Sequence, residues 1–181
     1  LEFRRVLFRS KAAPKDPQVW IALAQAEVGA GQLDKVAEAA KKAAELAPRD
    51  AAVQSAVADV YLAQAAAILQ KAQAEYAKAQ GEGLVDGRSP VPQQVIPGQA
   101  NAVDPFQSAQ QSVQSAIASA ASAAVAPLQT QANEAYQAAV AAQKVVTELK
   151  ADDPAAWFRL AQIETSANDA EGAIAAYREF I

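Results

Sequence analysis

Three carboxylates near the end of the chain, Glu148, Asp152 and Asp153, are the densest group that could do acid–base chemistry. Paired carboxylates serve as general acid and base when a shaped pocket pushes their pKa values apart. Asp153, however, stands directly before Pro154, an arrangement that starts a helix, so capping and solvated charge are the expected use. Ser108, Ser112, Ser115, Ser119 and Ser122 recur every three or four residues and share one helical face. A serine nucleophile needs a base; with no His in the chain and no Lys close by, that face is expected to be exposed polar surface. The glycines of GEGLVDG lack the Lys and Ser/Thr of a phosphate loop and follow no strand, which argues against nucleotide binding. With no Cys and no His, thiol nucleophiles, disulfides, zinc sites and imidazole bases are excluded. The expectation is a chain with no catalytic residue, no metal and no cofactor, and not an enzyme.

Composition narrows the partners. A net charge of −4 and a pI near 4.9 do not suit a phosphate-binding surface, which needs clustered Lys and Arg, so no nucleic acid is expected. No run of about 18 apolar residues is evident, so no membrane segment is expected either. Apolar residues make up 52% of the chain but aromatics only 6%. The difference is largely alanine, which has the best helix propensity and lets helices approach closely over a shallow core.

The elements that would carry any site are helical. From Pro17 to Asp50 the chain reads as two helices and a turn. Asp16 caps, Pro17 opens the first turn, and Trp20, Leu23, Ala24 and Val28 recur at helical spacing before Gly29 and Gly31. Asp34 opens a second helix that Pro48 stops. The phrase returns as DDPAAWFRLAQIETSANDAEGAIAAYREFI, with Asp153 as cap, Asn168 in the glycine position and Trp157, Leu160, Ala161 and Ala173 in the repeated places. The two tryptophans are 137 residues apart.

These residues resemble the tetratricopeptide repeat, a helical hairpin of about 34 residues. Trp20, Leu23, Ala24, Ala43 and Pro48 occupy the signature positions of one complete repeat. Trp157, Leu160, Ala161 and Ala173 occupy those of a second. Glu27 stands where the family usually has Tyr, Val36 where it has a small residue, and Phe180 where it has Ala. At their positions Trp20 and Trp157 are expected to pack between helices and not to stack on a ligand.

Between the repeats, residues 51–80 read as one long helix with a stripe from Ala65 to Ala79, stopped by Gly81 and Gly83. Residues 81–104, with Pro90, Pro92 and Pro97, read as a flexible Gly/Pro-rich linker. Residues 105–150 read as Ala/Ser/Gln-rich helices broken at Pro127, the second with a heptad-like seam from Leu128 to Leu149. The expected fold is all-α: an α-α superhelix of tetratricopeptide-like hairpins, 16–50 and 151–181, flanking an expanded central hairpin with an insertion at its tip. Residues 1–10, LEFRRVLFRS, can be supplied by translating a common sequencing adaptor and are read as non-native. The absence of Met and the uncapped apolar pattern at Ile181 are read as marks of a fragment, and the alanine bias as bacterial.

The resemblance implies a concave groove lined by the first helix of each repeat, which receives a peptide or partner helix. By phase it implies Gln18, Ile21, Gln25 and Val28, then Ala52, Ser55, Asp59 and Leu62, then Ala155, Phe158, Gln162 and Thr165. The Lys and Asn with which some members clamp a peptide carboxylate are missing from these positions. The expected function is a non-catalytic protein–protein interaction scaffold with an unidentified protein or peptide partner. Alternatives are the regulatory repeat region of a larger enzyme, and an oligomer formed through the expanded hairpin. Localisation, cytoplasmic or anchored in the envelope, is left open.

Overall fold

The computed structural model describes residues 13–85 and 105–181, with side chains over 13–81 and 112–181. The adaptor-like residues 1–10 and residues 86–104 of the expected linker lie outside the described residues. All regular structure among the described residues is helical: six helices packed as consecutive hairpins, with no strand. They are α1 (Pro17–Gly29), α2 (Leu33–Leu46), α3 (Ala51–Val85), α4 (Pro105–Leu149), α5 (Pro154–Ser166) and α6 (Ala170–Phe180).

The first helices of the first and last hairpins are built alike, down to single hydrogen bonds. The Asp16 carboxylate accepts from Gln18 N at 2.9 Å, and that of Asp153 accepts from Ala155 N at 3.0 Å. Each satisfies one of the N–H groups that a helix start leaves without a partner. The far ends of α1 and α5 close with the same turn. Gly31 N donates to Val28 O and Gln32 N to Glu27 O, while Asn168 N donates to Thr165 O and Asp169 N to Glu164 O. Gly31 and Asn168 take left-handed φ values of 70° and 60°, which this double-bonded helix end requires and which Gly and Asn tolerate best. Helix α2 starts at Leu33, one residue before Asp34, which lies in its first turn.

Inter-residue contacts divide the chain into two compact units, one formed by residues up to Leu69 with Thr130–Ile181, the other by Gln70–Gln129. The core of the first draws on all six helices: Leu23 and Ala24, then Val36, Ala40 and Ala43, Val53 and Val57, Ala139, Leu160 and Ala161, and Ala176. Alanine at the crossings brings the backbones together, and the larger Leu, Ile and Val side chains each contribute about 1.5–3 kcal/mol by burial. Polar side chains finish the helix ends. Gln54 Nε2 donates to the carbonyls of Ala44 and Ala47; the first stands four residues before Pro48 and so has no helical N–H to accept from. Gln64 Nε2 donates to Leu33 O at 2.8 Å.

Three expectations are corrected. Helix α3 does not stop at Gly81 but continues to Val85; an interior glycine costs only about 1 kcal/mol relative to alanine, and no proline follows until Pro90. Pro127 does not break the second long helix, which runs uninterrupted over 45 residues from Pro105. The carbonyl of Ala123, which Pro127 cannot bond, belongs to an exposed stretch where water can satisfy it. Finally, Ala51–Gly81 has a mean hydropathy of 1.4 and is, by length and composition alone, long and apolar enough to cross a membrane. Of its most apolar window 44% is buried inside the protein, and Val53, Val57, Val60 and Ile68 of this helix are core residues.

Candidate binding cleft

The residues named by the repeat phase divide into three groups. Gln18, Gln25, Gln162 and Thr165 are exposed, as are Ala52 and Ala155, while Val28 and Leu62 are half-buried and pack against the core. Ile21 is a core residue, 5% exposed. Its counterpart 137 residues later, Phe158, is 40% exposed and instead stacks on Tyr177 and Phe180, with ring centroids at 6.0 and 5.2 Å.

Ser55 and Asp59 are brought together with α5. The Arg159 guanidinium donates to Ser55 Oγ at 3.0 Å and forms an ion pair with the Asp59 carboxylate. This fork joins residues separated by about a hundred positions and sets α5 beside α3. A cleft of about 400 Å³ opens at the junction, walled by Ala52, Ser55, Ala56 and Asp59 on one side and Ala155 and Arg159 on the other. Its floor is α4, where Gln143 and Val146 line it, with Lys150 at the edge. Gln143 is 1% exposed; its amide nitrogen donates to Ala156 O at 3.0 Å, and its Oε1 has no protein partner.

Chemically the cleft offers small apolar walls, a hydroxyl, two carboxylates, Asp59 and the capping Asp153, and two cations, one already held by Asp59. Such a surface suits an extended or helical segment carrying polar and small groups. Lys150, Arg159 and Gln143 were not among the positions implied by the phase. Gln143 carries no signal of its own, and the complementarity of Asp59 and Arg159 becomes visible only once the fold makes them neighbours.

The remaining expected site residues take structural places. Asp153 caps α5, whereas Glu148 and Asp152 are exposed, as are Ser112, Ser115, Ser119 and Ser122 on α4. Of the signature residues, Leu23, Ala24, Ala43, Leu160, Ala161 and Ala173 are buried, and Pro48 is exposed just beyond α2. Trp20 and Trp157 are half-buried against the core, and their indole N–H groups donate to Pro14 O at 2.9 Å and Ala151 O at 2.8 Å. These too are equivalent bonds, each tying a helix to the chain that leads into it.

One pair of charged residues has a place that the sequence did not reveal: Glu27 shows there only as a departure from the family pattern, and Glu164 not at all. Glu27 and Glu164 occupy the same place in their hairpins and are both buried. Burial raises the pKa of Glu27, against the pull of Lys35, with Glu38 adding to the rise. Glu164 is paired instead with Lys144 of α4, at 3.2 Å. In each, one carboxylate oxygen lacks a hydrogen-bond partner. The chain matches no family model and no curated protein.

Proposed function

We propose that the chain is a non-catalytic scaffold of tetratricopeptide-type hairpins, the middle one enlarged, that holds a peptide or partner helix in the cleft between α3 and α5. The observation that carries this reading is the cleft itself: a space of about 400 Å³ where two consecutive first helices of hairpins meet. Its alanine walls admit a backbone closely, and Ser55, Arg159 and Lys150 supply hydrogen bonds along it. The equivalence of the first and last hairpins supports the repeat assignment, because the same caps, the same left-handed turn residue and the same tryptophan bond recur at one offset. The groups in the cleft suit recognition better than reaction: the Arg159 guanidinium is already engaged by Asp59 and Ser55, and alanine is the commonest residue of the lining.

The test is selection of peptides from a random 12-residue display library on the folded chain, followed by anisotropy titrations of the enriched sequences. Ala52→Trp, an exposed position on the cleft wall, is expected to weaken their binding at least ten-fold by filling the space, with helicity unchanged. Enriched peptides that bind the Ala52→Trp variant as tightly as the parent would remove the cleft from consideration.

A further inference from the structure

A second cleft, of about 400 Å³, lies between α4, α5 and α6. Trp157 lines it, and because the indole N–H is committed to Ala151 O, what the tryptophan offers to the cleft is its ring. Glu148 and Glu179 also line it, together with Glu164 and Lys144. Three carboxylates against one ammonium leave the lining at a formal −2. Glu164 is only 1% exposed; Lys144 engages its Oε1, and its Oε2 has no hydrogen-bond partner.

The first hairpin serves as an internal control, since it has the same helices, the same tryptophan and the same buried glutamate. At the position of Gly172 it carries Lys35, which reaches back to Gln32 Oε1 at 3.1 Å. At the positions of Ala175 and Glu179 it carries Glu38 and Lys42. The last hairpin has thus exchanged two long side chains for Gly172 and Ala175, which line the opened space, and one cation for a carboxylate. Gly172 matters sterically: a Cβ there would come within 2.8 Å of Glu164 Oε1 and 2.7 Å of Asp169 Oδ2. Helix propensity alone favours alanine at that position by about 1 kcal/mol, and a side chain there would have to push aside the Asp169 and Glu164 carboxylates.

We propose that this cleft binds an organic cation with an alkyl stem, a guanidinium or ammonium group. The stem lies on the Trp157 ring and on Leu160, and the charge is held between Glu148 and Glu179, above the buried carboxylate of Glu164. An aromatic face flanked by carboxylates, with one carboxylate withdrawn from water, attracts such a group both through the ring quadrupole and by charge-assisted hydrogen bonding. The site stands apart from the α3/α5 cleft and does not depend on a peptide being bound there.

The test is a titration followed by ¹H–¹⁵N NMR of the whole chain, with n-butylguanidinium as probe, the neutral isostere N-butylurea as control, and Trp20 as internal reference. The expected result is a saturable shift of the Trp157 indole and of the Leu160 and Ala176 amides, with a Kd on the order of 1 mM for so small a ligand. Trp20 stays still and butylurea has no effect. Glu179→Lys, which installs the first hairpin's residue at an exposed position, is expected to weaken binding about ten-fold or more, and Glu148→Gln several-fold. Arginine blocked at both ends is titrated in parallel: tighter binding than butylguanidinium assigns the site to a protein side chain, weaker binding to a free amine metabolite. Equal movement of both tryptophans, equal binding of butylurea, or an unchanged Kd in folded Glu179→Lys would each overturn the proposal.

Discussion

Replacing Lys144 with Met puts the attachment of the last hairpin under direct test. Lys144 Nζ lies 3.2 Å from Glu164 Oε1, and the two side chains are 53% and 2% exposed. Removing one partner of a fully buried ion pair costs about 3–5 kcal/mol, because the remaining charge is stranded, whereas an exposed pair is worth about 1 kcal/mol or less. Here the stranded group would be the buried one and the lost group the half-exposed one. The expected cost therefore falls between the two, at about 2 kcal/mol. For a chain of this size 1 kcal/mol corresponds to about 2–4 °C, so the thermal midpoint of the transition reported by tryptophan fluorescence is expected to fall by about 4–8 °C. Glu164→Gln is expected to cost less, about 1 kcal/mol, since the lysine it releases returns to water. The double variant should show a coupling of about 1 kcal/mol or more in urea titrations followed by far-UV circular dichroism. A Lys144→Met variant within about 0.5 kcal/mol of the parent, or a coupling indistinguishable from zero, would mean that Glu164 tolerates its buried place without the ammonium.

Two further outcomes follow from other buried or constrained residues. Burial raises the pKa of Glu27 in the fold, so the folded state holds that proton more tightly than the unfolded chain. The stability tied to it is complete below the ordinary carboxylate pKa and is lost as pH rises through the raised value. Glu27→Gln is accordingly expected to gain on the parent as pH rises from 4 to 7; a stability difference that stays flat across this range in denaturant titrations would contradict it. Pro127→Ala restores the missing donor to Ala123 O within α4, and hydrogen exchange around residues 123–130 is expected to slow, by up to about 3 kcal/mol in local opening free energy. Unchanged exchange there would show that the proline costs the helix nothing.

What could be read ahead of the structure was local. The caps at Asp16 and Asp153, the left-handed position shared by Gly31 and Asn168, and the tryptophan-leucine-alanine spacing each depend on residues within about ten positions. The two outer hairpins were therefore legible almost residue by residue. The ends of the long helices were not. Gly81 and Pro127 are breakers by propensity, yet the cost of either is small beside the packing of helices as long as α3 and α4. Glu27 and Glu164 were opaque because a charge at an apolar phase looks like a departure from pattern, and only tertiary neighbours such as Lys144 and Lys35 explain it. In the cleft, Ser55 and Asp59 could be named from phase, but Arg159 could not be joined to them without the stacking of α5 on α3. Ile21 shows the converse. The phase that put it on an open wall could not show the core that encloses it.

The exchange of Ile21, Ala40 and Ala43 for Phe158, Tyr177 and Phe180 has a consequence for spacing. In the first hairpin both alanines are fully buried, and α3 lies against α2 closely enough for Gln54 and Tyr61 to bond its carbonyls. Interaxial distances between helices run from about 8 Å over small side chains to about 10 Å over large ones. A helix laid on the three rings of the last hairpin would therefore ride about 2 Å farther out than α3 does, beyond the reach of such bonds. The two outer hairpins share their internal construction but are not interchangeable as stacking surfaces. A chimera carrying the first hairpin in place of the last would present a flatter and closer platform than the one the native chain exposes.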